Sequence, residues 1–487
     1  FFINLNGGFV MLGIVSYGGY IPALRLERKL IADAWGGNSI GGERSVANND
    51  EDSITMAVEA AVNCLNDRKR EEIEGLFFAS TTAPYQEKMS ATLIATVLDL
   101  GRELTTADFA NSLRAGTAML KTAIGLVKSG SVRNMLVTTA DCRLGYPKSD
   151  QEQAFGDGAA AILVGDKDPV ATFEGSYSIS NEMADVWRNP EDKFVKTWEG
   201  RFVLDEGYTA HMKEVVSGIL KKYDLRPEDI SKIILPAPNS RTHRSLAASL
   251  GFDVKTQVQD PLISNVGYCG TAQPLMMLAA ALEAAKPGDV LLLAAYGDGA
   301  DAMIFKVTDQ IGKSINRCKM NTLLENKLMF PSYVRFLSYR GILEAQPSEP
   351  FRLFPSATVS WRERRSSLRC HASRCKKCGC MTFPVQRICY HCRSKDDYEE
   401  VRVSGMTGKV FTFTRDNLAG RSDDPIIIQT VAELESGLRF YAMMTDCDPD
   451  SVELGTPVEL TFRRIYEGAG FHNYFWKLRP VRKGGTN

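Results

Sequence analysis

The chain has 487 residues, 44% of them hydrophobic and 24% charged, with a formal net charge of -1. That is enough for about two to four packed domains and too apolar for a disordered polymer, and the balanced charge lacks the basic excess by which phosphate neutralisation drives nucleic-acid binding. Apolar runs such as 290–296 have strand length, far short of a bilayer span, so no membrane helix is expected.

Residues 1–10, FFINLNGGFV, lack the basic flank and long apolar core of a signal peptide. Met11 reads as a start, which leaves open whether 1–10 are native, and the chain reads as cytoplasmic. From Met11 to about Val307, β-branched runs alternate with longer Ala/Leu-rich stretches, the texture of an α/β fold. Helices are predicted over 55–65, 113–127, 208–223 and 272–285, and buried strands over 75–79, 135–139, 160–164, 232–235 and 290–293. Phe155-GDGAAAILVG and Tyr296-GDGADAMIFKV repeat one element: an aromatic, Gly-Asp-Gly, small residues and an apolar strand. The repeat predicts two copies of one unit, over 11–165 and 166–308.

Residues 309–368 change to mixed charge with Pro331, Pro347, Pro350 and Pro355, and read as a connector with short helical pieces. Cysteines follow. Five of the eleven are scattered, while six crowd into 370–392, which is not the spacing of a disulfide scaffold. Cys375-x2-Cys378, ten residues, then Cys389-x2-Cys392 places two thiolate pairs as two knuckles around one tetrahedral ion. A zinc ribbon is predicted over 369–398 with these four cysteines as ligands, and four protein ligands make the Zn2+ structural. Residues 399–487 alternate apolar and polar positions over 408–414, 426–431, 458–462 and 474–478, a small antiparallel barrel of OB type. A zinc ribbon before a barrel also suits single-stranded nucleic acid, but Asp416, Asp423, Asp424, Asp446, Asp448 and Asp450 would repel phosphates, so that reading is disfavoured.

Taken together, residues 11–307 resemble the thiolase superfamily, in its 3-hydroxy-3-methylglutaryl-CoA synthase and ketoacyl synthase III branch. Residues 350–482 resemble the zinc-ribbon/OB-fold domains that accompany thiolases and help bind acyl-CoA. The resemblance implies a duplicated α/β/α/β/α core, and a Cys nucleophile, a Glu acid/base and a His for thioester condensation. Carried over position by position, D-x-x-N-A-C-x-x-G-T falls on Asp108–Thr117 and puts Leu113 where the family has Cys. Thr81 stands for the Glu and Pro236 for the His, so the triad is degenerate. Tyr268 takes the place of the Asn of a later G-N-T stretch and is the candidate acid/base. Ser112, Asn239, Tyr268 and Cys269 are expected around the substrate cavity, with Ser112 as a cap rather than a replacement nucleophile. The resemblance further implies a coenzyme A thioester as ligand, a homodimer through the thiolase-like half and a separate thiolase subunit as partner. Two readings stay open: a non-nucleophilic subunit that presents acyl-CoA to that partner, and a stand-alone aldolase or lyase acting on a β-hydroxyacyl-CoA through Tyr268.

Overall fold

The computed structural model describes residues 2–3, 9–66, 68–313, 318–344, 355–421 and 424–482, with side chains from residue 11 onward. The predicted Pro347, Pro350 and Asp423 lie outside the described residues.

Nine strands form one sheet whose order displays the duplication. From one edge they run Thr105–Phe109, Gly75–Ala79, Asn134–Asp141, Gly158–Gly165 and Gly13–Tyr20, then Ala171–Ser180, Gly299–Val307, Val290–Tyr296 and Lys232–Ile234. Each half thus has its first strand beside its Gly-Asp-Gly strand, and the halves meet where the two first strands pair antiparallel, Ala171 opposite Ile14.

Three apolar cores separate the layers. Helices Ala115–Lys128 and Gln273–Ala284 fill the middle, against inner faces of both half-sheets. Ala210–Lys222 and Ser240–Ser249 cover one outer face. Ser53–Leu65 covers the other, where its apolar residues merge with the core of the C-terminal barrel. The middle helix Ala115–Lys128 approaches so closely that a Cβ on Gly116 would lie 2.6 Å from the Thr271 carbonyl oxygen.

Segment 309–368, expected as a connector with short helical pieces, carries the helices Met320–Glu325, Tyr333–Tyr339 and Ala357–Ser367. Its described part folds back on the first half: Leu328 and Met329 pair with Leu24 and Arg25, and Phe330, Tyr333 and Phe336 form a satellite core with Leu26, Ile31 and Val46. The helix Tyr333–Tyr339 that supplies Tyr333 and Phe336 is only seven residues long, too short to display a periodic apolar face in the sequence. Helix Ala357–Ser367 has no buried residue, and its Arg364 guanidinium lies 3.6 Å from the Trp361 ring centre. The ribbon sheet runs Met381–Thr382, His371–Cys375, Tyr398–Arg402, so its third strand extends past the predicted end. Five antiparallel strands then make the barrel, in the order Arg439–Met443, Ile427–Leu434, Thr407–Asp416, Pro457–Gly468, Phe471–Pro480. No helix among the described residues is long and apolar enough to cross a membrane.

Candidate functional site

Leu113 lies in a turn. Strand Thr105–Phe109 ends at the sheet's C-terminal side, Asn111 takes φ 68°, and the helix begins only at Ala115, two residues later than predicted for Leu113. Ser112 Oγ accepts a hydrogen bond from Arg114 N at 3.3 Å, a local turn bond and not the expected cap, since Arg114 is the N-cap position and helix Ala115–Lys128 has no side-chain cap. Arg114 reaches into the other half, donating to the carbonyls of Ile179 (2.9 Å) and Asp298 (3.1 Å).

A cavity of about 740 Å³ opens over this turn. Ala110–Leu113, Gly297, Asp298 and Arg143 line its base, with Ser80–Thr81 and Ala83–Gln86 on one wall and Asp185–Pro190 on the other. The walls are tied by Arg188, which donates to the Thr81 carbonyl. Thr81, Ser112 and Leu113 are all on the lining. Pro236, Asn239, Tyr268 and Cys269 are not among the lining residues.

Local structure explains each displacement. Asn239 is occupied as the N-cap of helix Ser240–Ser249, its Oδ1 accepting from Thr242 N at 2.8 Å. Pro236 offers only its carbonyl, to Tyr208 Oη at 2.9 Å. Cys269 is fully buried in the middle core, where burial pushes its thiol well above the ordinary cysteine range and keeps it a neutral, unreactive group. Tyr268 stands behind the lining. Burial pushes its phenol up to about 12, against the opposing pull of the Arg143 guanidinium, so at neutral pH it can donate a proton but not accept one. Among the described residues no histidine lines the cavity.

Sequence reasoning missed the polar group that organises the site. Asp141, fully buried at the end of strand Asn134–Asp141, accepts six hydrogen bonds. Oδ1 takes Ser80 Oγ (3.0 Å), Thr81 N (2.7 Å), Thr81 Oγ1 (3.1 Å) and Thr82 Oγ1 (2.9 Å). Oδ2 takes Thr271 N (2.8 Å) and Thr271 Oγ1 (2.9 Å), which joins a cavity wall to the second half. The only signal was a carboxylate closing an apolar strand. Arg143, Asp185, Trp187 and Arg188, also on the lining, carried no signal in spacing. Asp185 is buried, and desolvation raises its carboxyl above the usual carboxylate range.

The metal centre gathers as predicted. The sulfurs of Cys375, Cys378, Cys389 and Cys392 all lie within 4.8 Å of one another, with Cys375–Cys392 and Cys378–Cys389 at 3.6 Å. Four thiolates about 2.3 Å from a tetrahedral zinc would stand about 3.8 Å apart, so the donor set fits the ion in number, softness and spacing. The two knuckles match in backbone: Gly379 N donates to Cys375 O and Arg393 N to Cys389 O, and both donors take positive φ, 73° and 64°. His391 is exposed, and His371 pairs instead with Asp99 (2.7 Å) and Glu400 (3.3 Å).

Two family models match: the C-terminal region of 3-oxoacyl-[acyl-carrier-protein] synthase III over 220–307, and the ChsH2 C-terminal OB-fold domain over 400–463. Over 339 residues, 67% of this chain, it is 34% identical to the hydroxymethylglutaryl-CoA synthase of Methanopyrus kandleri, covering 96% of that protein. The chain belongs to the hydroxymethylglutaryl-CoA synthase family. The synthase of Thermococcus sibiricus is similar at 33% identity, over 68% of this chain and 96% of its own. Among solved structures, a hydroxymethylglutaryl-CoA synthase complexed with CoA shares the fold at TM-score 0.63 and 17% identity, over 71% of this chain and 95% of that one. The fold is thus the thiolase-like fold, with a ChsH2-type OB-fold carried after the synthase-like region.

Proposed function

We propose that this synthase-family chain holds a coenzyme A thioester in the cavity above residues 110–113 without becoming acylated, and that a separate thiolase subunit supplies the nucleophilic cysteine for carbon–carbon bond chemistry. The observation that carries the reading is Leu113 on the cavity base, where a hydrocarbon side chain has neither a lone pair to attack a thioester nor a proton to lose. Ser112, beside it, accepts from Arg114 N and has no histidine on the lining to activate it. Relatives named as hydroxymethylglutaryl-CoA synthases, one of them solved with CoA, support the ligand class. Strand Thr105–Phe109 ends the nine-stranded sheet with one side unpaired among the described residues, which supports pairing with a second copy through this half. The zinc of the ribbon would hold the two knuckles together and take no part in the chemistry, since four thiolates leave it no open position.

Incubation with acetyl-CoA labelled in the acetyl group should leave no acid-stable label, while a thiolase with an intact cysteine, added to the chain, gains turnover. An acetyl adduct on Ser112 or Cys269 would sink the reading. The aldolase alternative draws on Tyr268, a proton donor beside Arg143 and Asp185. It requires the chain alone to turn over a β-hydroxyacyl-CoA and Tyr268→Phe to stop it.

A further inference from the structure

The barrel is joined to the synthase-like half at one place where the join is also a wall of the cavity. Strands Pro457–Gly468 and Phe471–Pro480 are connected through Ala469 and Gly470, at φ 51° and 75°. Two successive positive φ values make the tight turn whose twist suits a two-residue hairpin, so the tip is a defined element and not a loose loop. The residues just past it meet the cavity. His472 N donates to Tyr85 Oη at 2.9 Å, and the Tyr85 ring centre lies 6.0 Å from that of Phe471 and 5.6 Å from that of His472. Tyr85 lines the cavity.

The same tip is tied to the cavity wall by a second route. His472 Nδ1 and Tyr474 Oη lie 3.0 and 2.7 Å from Asp52 Oδ2. Asp52 caps helix Ser53–Leu65 by accepting from Thr55 N, and Ser53 Oγ donates to the Thr82 carbonyl at 2.9 Å. Thr82 Oγ1 in turn donates to Asp141 beneath Thr81. Both ends of segment 81–85 are therefore held by groups that answer to the barrel: Thr82 through Asp52 and Ser53, Tyr85 directly.

We infer that the hairpin tip at Phe471 and His472 is a positioning element of this chain's own thioester cavity, setting the wall 81–85 in the conformation that receives the ligand. This rests on the reading of the cavity as a CoA-ester site and adds a role for the barrel in cis. A wall held in its bound conformation before the ligand arrives spares the ordering cost on binding, so loosening it weakens affinity without removing a ligand contact.

The test uses the full zinc-loaded chain and acetyl-CoA. Tyr474→Phe keeps the ring and removes its bond to Asp52, and Phe471→Ala removes the packing on Tyr85 from the barrel side; neither residue lines the cavity, and each should weaken acetyl-CoA binding by about fivefold or more in calorimetry. In the unaltered protein, acetyl-CoA should slow hydrogen exchange at residues 471–473, a response that a tip serving only to attach the barrel would not give. Unchanged affinity in both variants, or no ligand response at 471–473, overturns the inference alone. If acetyl-CoA does not bind, or binds equally well to Leu113→Trp, whose indole would fill the base of the cavity, the thioester reading falls and takes the inference with it.

Discussion

At Asp141 six donors converge on one carboxylate from which water is excluded. Burying a charge is costly unless it is fully hydrogen-bonded, and here the donors come from two separate stretches, 80–82 and Thr271, that only the folded chain brings to Asp141. The consequence is asymmetric: removing the acceptor strands buried hydroxyl and amide groups. Asp141→Ala should lower stability by roughly 3 kcal/mol or more in denaturant titration, whereas Thr82→Val, which deletes one donor of six, should cost about 1 kcal/mol. Comparable losses for the two would mean that Asp141 is hydrated rather than held as described. The same arithmetic applies to Leu113 on the cavity lining: an apolar side chain there asks for no partner.

Among the elements, helix Ala115–Lys128 comes close to the turn Gly270–Ala272 at Gly116. Gly116→Val would drive a branched side chain toward the Thr271 carbonyl, 2.6 Å from where its Cβ must stand. Overpacking against backbone costs about 1–3 kcal/mol, so a melting temperature lowered by several degrees is expected, with Gly125→Ala, which meets nothing within 4 Å, as the neutral control. The ribbon depends on a different source of stability. Its strands Met381–Thr382, His371–Cys375 and Tyr398–Arg402 are short, and a bound ion would supply the folding energy that so small a core lacks. One zinc per chain is expected by elemental analysis, falling to well under one in Cys389→Ser. Full zinc in that variant would assign the metal to other ligands.

Across the whole molecule, the barrel is docked by buried charge as well as by a shared core. Arg463, fully buried in the barrel, stands 2.6 Å from Asp446 of its own domain and 3.3 and 3.4 Å from Glu51 and Asp50 of the synthase-like half. Arg479 bridges Glu459 and Glu59, each at 2.8 Å. Breaking such a pair from one side leaves uncompensated carboxylates, so Arg463→Ala should cost about 3–5 kcal/mol and loosen the barrel from the first half, seen as new protease cleavage before residue 407. A variant that melts and cleaves like the parent would show the network to be dispensable. For the same reason, deleting the extension is a poor probe of function. It would uncover the apolar face of helix Ser53–Leu65 and leave Glu59 without its arginine.

Local chemistry was enough for the sequence to determine the periodic and the compositional features. The alternation of strands and helices, the Gly-Asp-Gly repeat and the paired cysteine knuckles are legible because each is set by residues a few positions apart. That Leu113 offers no nucleophile is legible too, since a side chain's lack of chemistry needs no fold to reveal it. Tertiary structure alone decided which candidates share the cavity. Thr81, Ser112 and Leu113 meet there, while Cys269 faces the core and Asn239 caps a helix, although all five belong to the same recognisable motifs. It also decided that 320–340 packs as part of the first half, that Asp141 is a hub and that the barrel tip touches Tyr85. The reason is range: these contacts join residues tens to hundreds of positions apart, and the direction of a side chain at a strand end or turn depends on backbone geometry that composition and spacing do not encode.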